Sequence, residues 1–249
     1  MTALRDCTVI VTGATGSAGA ATVRQLRDAG ADVVAAGRDA DRLRAFVRAQ
    51  DAAALDDETP TALYGDAVDL TDETATRAWA ARAIERSGRV DGVIHLVGGW
   101  RGGRTFPDNA MADATWLHEQ VVLTTQHVTL AFYDALAAAP AGRFAIVSAP
   151  AATEPTAGNA AYASVKAGAE AWTRALADGF ATVQAEPGPL RAAATIFVVE
   201  MLVDDAMRAA QPGRAFNRAT DVEDLAKAVV GLWDTDPAEI NGARVMLGP

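Results

Sequence analysis

Short β-branched runs alternate with long amphipathic stretches from one end of the 249 residues to the other, and this alternation limits the fold more than any single residue does. The runs are TVIVTG (8–13), ADVVAAG (31–37), ALYGDAVDL (62–70), DGVIHLVGG (91–99), RFAIVSA (143–149), ATVQAEPG (181–188) and ARVMLGP (243–249). Between them the helical pattern covers roughly 17–29, 39–50, 72–87, 112–139, 159–178 and 221–234. Apolar runs with little alternation suit strands covered on both faces of a parallel sheet. The β-α order predicts an α/β chain with a doubly wound sheet and right-handed crossovers. No linker or repeat interrupts it. The segment 192–218 follows the sixth run and is locally helical. It reads either as a mobile cover over a site at the strand ends or as a surface helix pair.

Half the residues are apolar, enough for one sizeable core. Net charge is −10 and no basic run occurs, which argues against nucleic acid and acidic membrane surfaces as partners. No apolar run reaches the roughly 20 residues that span a bilayer. The start, MTALRDCTVIVTG, leads directly into a strand without a signal-peptide pattern. Cys7 has no second cysteine to pair with and reads as a small buried hydrophobe, which fits a reducing cytoplasm.

TGATGSAG (12–19) joins the first strand to the first helix. Gly13 permits a tight turn, Gly16 lets backbone approach a pyrophosphate, and Gly19 lets the helix pack near the strand. Thr15 and Ser17 lie in the same turn, and the helix N-terminus offers free N–H groups to phosphate. Strand two ends at Gly37-Arg38. Glycine leaves room there and Arg38 suits a 2′-phosphate, which favours NADP(H) over NAD(H); the alternative is Asp39 holding a ribose. After strand three come Asp69 and Leu70, with Asp69 placed for an adenine amino group. Thr71 or Asp72 caps the next helix.

Tyr162 and Lys166 stand four apart in AAYASVKAGAEAW, a strong helix former, so both point from one face. A neighbouring ammonium favours the phenolate, which makes Tyr162 a candidate proton donor or acceptor. Ser148 is a candidate helper. Its neighbour Ala149 occupies the position thirteen residues before the tyrosine, where a serine would be expected. Adjacent strand residues point to opposite faces, so Ser148 takes part only if it faces the cleft.

With the glycine turn and Tyr-x-x-x-Lys together, the chain resembles the short-chain dehydrogenase/reductase family along its whole length. The matching residues are Thr12, Gly13, Gly19, Asp69, Gly98, Tyr162, Lys166, Pro187-Gly188 and the tail INGARVMLGP. The resemblance implies one Rossmann-like domain over 1–249 with a seven-stranded parallel sheet and helices on both faces. It also implies a homodimer or homotetramer, hydride transfer from a nicotinamide, Tyr162 as proton donor, and Lys166 on the nicotinamide ribose. Gly98, Pro187 and Gly188 are then cofactor contacts.

Several positions depart from that family pattern. The turn reads Gly16-Ser17, as in longer epimerase-type members. His95-Leu96-Val97-Gly98 replaces Asn-Asn-Ala-Gly. Val122 or Leu123 stands where a helix supplies an asparagine, and Ala192 where a threonine follows Pro187-Gly188. VIHLVGGWRGG (93–103) is similar to the loop of quinonoid dihydropteridine reductases, which also lack the serine. A substrate that is already electron-poor has less need of that donor. Trp100 can then stack on a flat ring, with Ala149 also lining the substrate pocket.

His95 either lines the cofactor pocket or packs at its strand end. His118 and His127 lack ligand spacing, and no cluster suggests a metal. Ala-rich faces on 112–139 and 159–178 suit contact between copies of the chain. Two functions follow: an NADP(H)-dependent oxidoreductase acting on a small carbonyl, quinonoid or imine, or a dinucleotide-binding sensor that has lost efficient catalysis.

Overall fold

The computed structural model describes residues 4–53, 61–185 and 188–248. Its strands and helices, in chain order, are β1 (Thr8–Thr12), α1 (Ser17–Asp28), β2 (Asp32–Gly37), α2 (Ala40–Ala53), β3 (Leu63–Ala67), α3 (Glu73–Ser87) and β4 (Gly92–His95). Next come α4 (Met111–Leu117), a π turn (His118–Leu123), α5 (Thr124–Ala138), β5 (Arg143–Ser148), α6 (Ala160–Val183) and β6 (Ala193–Val198). The last elements are β7 (Leu202–Val203), α7 (Asp205–Ala210), β8 (Thr220–Asp221), α8 (Val222–Val230), α9 (Pro237–Ile240) and β9 (Arg244–Met246).

Seven strands form one sheet in the order β3-β2-β1-β4-β5-β6-β9, with every neighbouring pair parallel. The order reverses between β1 and β4. In an open α/β sheet, ligands bind in the crevice beyond the strand ends at that reversal. Strand side chains alternate between two cores. Ile10, Phe144 and Ile146 join Trp79, Phe132 and Phe180 on the face covered by α3, α5 and α6. Val9, Val11 and Ala145 join Leu26, Leu43 and Leu225 on the opposite face. Trp79 meets Phe132 edge-on at 5.3 Å, and Tyr133 stacks on Phe180 at 5.5 Å. Such aromatic pairs add about 0.5–1.5 kcal/mol beyond burial.

The sixth strand lies elsewhere than the sequence pattern predicts. The described residues of the run at 181–188 form no strand: Ala181–Val183 finish α6, because Thr173, Leu176, Ala177 and the fully buried Phe180 continue one apolar helix stripe. AATIFV, part of the segment read as either a cover or a surface helix pair, forms β6 and is buried throughout. Gly188 therefore precedes β6 and is exposed, on the side of the sheet where the strands begin. Ala192 is buried at the entry to the same strand. Pro187 lies outside the described residues. The chain leaving β6 reads Val199-Glu200-Met201, without the Pro-Gly expected beyond a sixth strand.

The predicted helix 112–139 carries a π turn at His118–Leu123, a one-residue bulge of a kind often found near functional sites. Among the described residues, no helix is long and apolar enough to cross a membrane.

Candidate active site

The glycine turn is built for close approach. Gly13 has φ +69°, and a Cβ there would lie 2.9 Å from the Leu96 carbonyl carbon. A Cβ on Gly19 would lie 2.3 Å from the Gly13 carbonyl oxygen, so the helix can sit this near β1 only with glycine. Gly16 is at φ −80° in the N-cap position of α1, and its Cβ would find 3.4 Å of clearance. No side chain caps α1 and no acid stands in its first turn, which leaves the N–H groups and the positive dipole end for an anion. Ser17 opens the helix; Thr15 and Gly16 line the cleft beside it.

That cleft encloses about 280 Å3. Its wall includes Gly13, Gly37, Arg38, Arg42, Asp69, Leu70 and Gly98. The Asp39 carboxylate is already engaged: Oδ1 accepts from the Asp41 and Arg42 N–H groups, each at 3.0 Å, and so starts α2. Asp39 is thus held as a helix cap, while two guanidinium groups border the pocket. Arg42, whose Nη2 donates to the Thr15 carbonyl at 2.9 Å, escaped the sequence reading. Its signal was the four-residue spacing from Arg38. Thr71 hydrogen bonds hold the Asp69 carboxyl below the usual carboxylate range, and Asp72 caps α3 through the Ala75 N–H.

A second cavity of about 730 Å3 adjoins the first, and Leu96, Val97 and Gly98 line both. Tyr162 in the first turn of α6 and Lys166 one turn later face into it, together with Trp100, Val199, Met201 and Arg214. The residues after β6 therefore do form part of a wall over the strand ends. Lys166 Nζ donates to the Val147 carbonyl at 2.7 Å and lies 5.7 Å from the Tyr162 ring centre. Burial pushes the lysine down to about 8, opposed by the Glu170 charge. Burial pushes the Tyr162 phenol up.

Ser148 shares its strand face with Phe144 and Ile146, the face toward α6. Its hydroxyl donates to Glu170 Oε1 at 2.6 Å, two helical turns beyond Tyr162. Ala149 is buried and is not among the residues lining the cavity, whereas Trp100 is 65% exposed at its rim. On the π turn, Val121 approaches Gly98 beside Lys166, and Val122 packs toward Gly168 of α6. The position facing the lysine is therefore Val121, one earlier than the expected Val122 or Leu123.

His95 packs inside. Thr124 Oγ1 gives its one proton to the Gln120 carbonyl at 2.7 Å, so His95 Nε2, 3.1 Å away, donates to that hydroxyl. Nδ1 then accepts from Thr12 Oγ1 at 2.8 Å. Burial and the Lys166 charge push His95 down to about 3, and the ring is neutral.

Comparisons with known proteins agree with the fold. The "granaticin polyketide synthase putative ketoacyl reductase 1" of Streptomyces violaceoruber is 34% identical over 116 residues. The match covers 47% of this chain and 38% of that protein, so the chain spans about two fifths of the length of the curated relative it matches. A short-chain type dehydrogenase/reductase from Mycobacterium ulcerans superposes with a TM-score of 0.84 at 20% identity, over 98% of this chain and 89% of the other. A Pseudomonas aeruginosa short chain oxidoreductase with an atypical catalytic center gives 0.83 at 20% identity, over 98% and 96%. A Burkholderia cenocepacia short chain dehydrogenase in complex with NADP gives 0.79 at 22%, over 99% and 98%. The short chain dehydrogenase family model matches residues 7–194, three quarters of the chain, and the chain belongs to that family of oxidoreductases.

Proposed function

We propose that the protein is an NADP(H)-dependent reductase of a small carbonyl, quinonoid or imine compound. The observation carrying this reading is one continuous crevice. It runs from the Gly13–Gly19 turn and Arg38, past Gly98, to Tyr162 and Lys166. The cradle fits a dinucleotide, since a Cβ at Gly13 or Gly19 would fill the space that the turn keeps open. Gly13, Thr15, Gly16 and the α1 N-terminus would hold its diphosphate, Asp69 and Leu70 its adenine, and Lys166 its nicotinamide ribose. Arg38 and Arg42 favour the 2′-phosphate, and the NADP-bound relative supports that choice. When bound, the dinucleotide supplies the hydride.

Tyr162 gives its phenolic proton to the carbonyl oxygen or imine nitrogen as that atom gains charge. A phenol raised by burial is protonated at neutral pH and so is ready to serve as the acid of a reduction. The Lys166 ammonium stabilises the phenolate left behind. Val199 and Met201 line the walls with apolar surface, and Trp100 offers a ring face at the rim. Ser148 borders the same cavity, but its hydroxyl proton is committed to Glu170, so we assign it no direct step on the substrate.

The test is a parallel reduction screen with NADPH and NADH over ketones, ketoacyl thioesters, quinones and a freshly oxidised pterin. Tyr162→Phe should reduce turnover of an identified substrate by about 10²–10⁴-fold; unchanged turnover would sink the mechanism. A second reading, a dinucleotide-binding sensor, draws on Ser148 bonded elsewhere and Val121 beside the lysine. It predicts NADPH binding by calorimetry with no oxidation at 340 nm across the whole screen. The protein also assembles, in this reading, as a homodimer or homotetramer in the cytoplasm. α5 and α6 would supply the contact through exposed Leu130 and the neighbouring Trp172. A monomer in light scattering would refute that assembly.

A further inference from the structure

Behind Lys166 lies a cluster of polar groups that the proposed chemistry does not itself use. Glu170 is 1% exposed and one helical turn beyond the lysine. Its Oε1 accepts from Ser148 at 2.6 Å, and its Oε2 accepts from Arg174 Nη2 at 2.8 Å. Arg244 Nε, on the edge strand β9, is 3.0 Å from the same Oε2. A carboxylate this deep costs several kcal/mol unless it is paired, and here a hydroxyl and two guanidinium groups pair it.

The geometry doubles a tether. Val147 receives the Lys166 ammonium on its carbonyl, and the next residue, Ser148, donates to Glu170. Two consecutive residues of β5 are thereby bound to two successive turns of α6. Among the described residues, the other groups around the lysine add no second anion at that depth. His95 from β4 is neutral, Val121 is apolar, and Glu200 at the cavity wall is paired with Arg218 at 2.6 Å. Tyr162 is a protonated phenol, and the remaining charges, Arg174, Arg214 and Arg244, are cations.

We propose that Glu170 is a positioning residue for Lys166, fixing the ammonium against β5 through Ser148 and holding a negative charge behind it. The idea rests on the reading that Lys166 serves Tyr162 and the dinucleotide. It explains how a lysine faced by Val121 keeps its place and its proton. Burial alone drives the lysine toward neutrality, and Glu170 opposes that drift.

The sequence permits a test that needs no substrate, because Lys166 and Lys227 are the chain's two lysines. The Lys227 side chain is 66% exposed and serves as an internal reference. Pulse acylation of the whole protein with acetic anhydride, across the titration range of lysine, is read at each site by mass spectrometry. Glu170→Gln leaves three cations without their anion. Its Lys166 midpoint should fall by about one unit or more, with Lys227 unmoved. Ser148→Ala keeps the charge and should keep the midpoint, while the loosened tether makes Lys166 acylate faster on the plateau. A Lys166 midpoint in Glu170→Gln matching wild type overturns the proposal.

If Glu170→Gln does not fold, Arg244→Gln replaces it. Removing that cation should move the midpoint upward, and an unmoved or lowered midpoint overturns the proposal. A shifted midpoint in a protein that reduces nothing would refute the enzyme reading alone. Turnover with an unmoved midpoint would refute Glu170 alone.

Discussion

Gly19 and Gly16 stand three residues apart in one turn, yet alanine meets different surroundings at each. At Gly19 the new Cβ would be 2.3 Å from a backbone oxygen that cannot move without displacing β1. Gly19→Ala is expected to lose about 1–3 kcal/mol in thermal or urea unfolding, and to bind NADPH at least roughly tenfold more weakly. Gly16→Ala should change stability little, since its backbone is extended and its Cβ would have 3.4 Å of clearance. His95 carries the clearest pH dependence. Its folded pKa of about 3 lies below the ordinary 6.5, so between these values the unfolded chain binds the extra proton. Stability is therefore complete above pH 6.5 and is lost as pH falls toward 3, by roughly 3–5 kcal/mol in all. Denaturant titrations should show that loss in wild type and a flatter profile in His95→Asn. Glycines and the Tyr162–Lys166 spacing were legible in the sequence because each is a local backbone or helix-face requirement. The partner of Ser148 was not legible, because Glu170 lies 22 residues away and meets it only through packing.

Among the elements, the end of α6 shows why a run of β-branched residues misleads. Thr182 and Val183 have strand propensity, but Phe180 anchors that turn in the core and the helix continues through it. Gln184 then ends the helix. Its side chain donates to the Ala137 carbonyl at 2.8 Å and accepts from the Arg191 and Ala192 N–H groups at 2.8 and 3.0 Å. One amide thus holds the end of α5 beside the start of β6. Gln184→Ala should destabilise the protein by about 2–3 kcal/mol, because buried backbone groups lose their partners. Cofactor affinity should stay near wild type, as the lost bonds lie where β6 begins and the site lies beyond the strands' other ends. Placing the sixth strand at 181–188 rather than at Ala193–Val198 set Gly188 at the wrong end of the sheet. A strand's direction fixes which of its ends can meet a ligand.

For the whole molecule, the order β3-β2-β1-β4-β5-β6-β9 brings residues from distant parts of the chain to one crevice. The doubly wound parallel sheet followed from the β-α alternation and its right-handed crossovers; the order of the strands within it comes from the structure. The cavity walls after β6 did not follow from the alternation, because short loop and ribbon segments carry no strong period. Cofactor choice is testable at this scale. NADPH at a hundred times its dissociation constant should stabilise the fold by about 2.7 kcal/mol, and equimolar NADH by less. Arg38→Gln with Arg42→Gln should remove that difference in a thermal-shift assay. The π turn at His118–Leu123 has a consequence of another kind. It holds one residue more than a regular helix would need over the same rise. Loss of a single codon there would let α4 and α5 fuse, turning everything upstream by about 100° about the helix axis. Trp116 would swing away from Gly99, which its ring now crowds. The smallest in-frame deletion in the gene could therefore remodel the mouth of the cavity while leaving every strand intact.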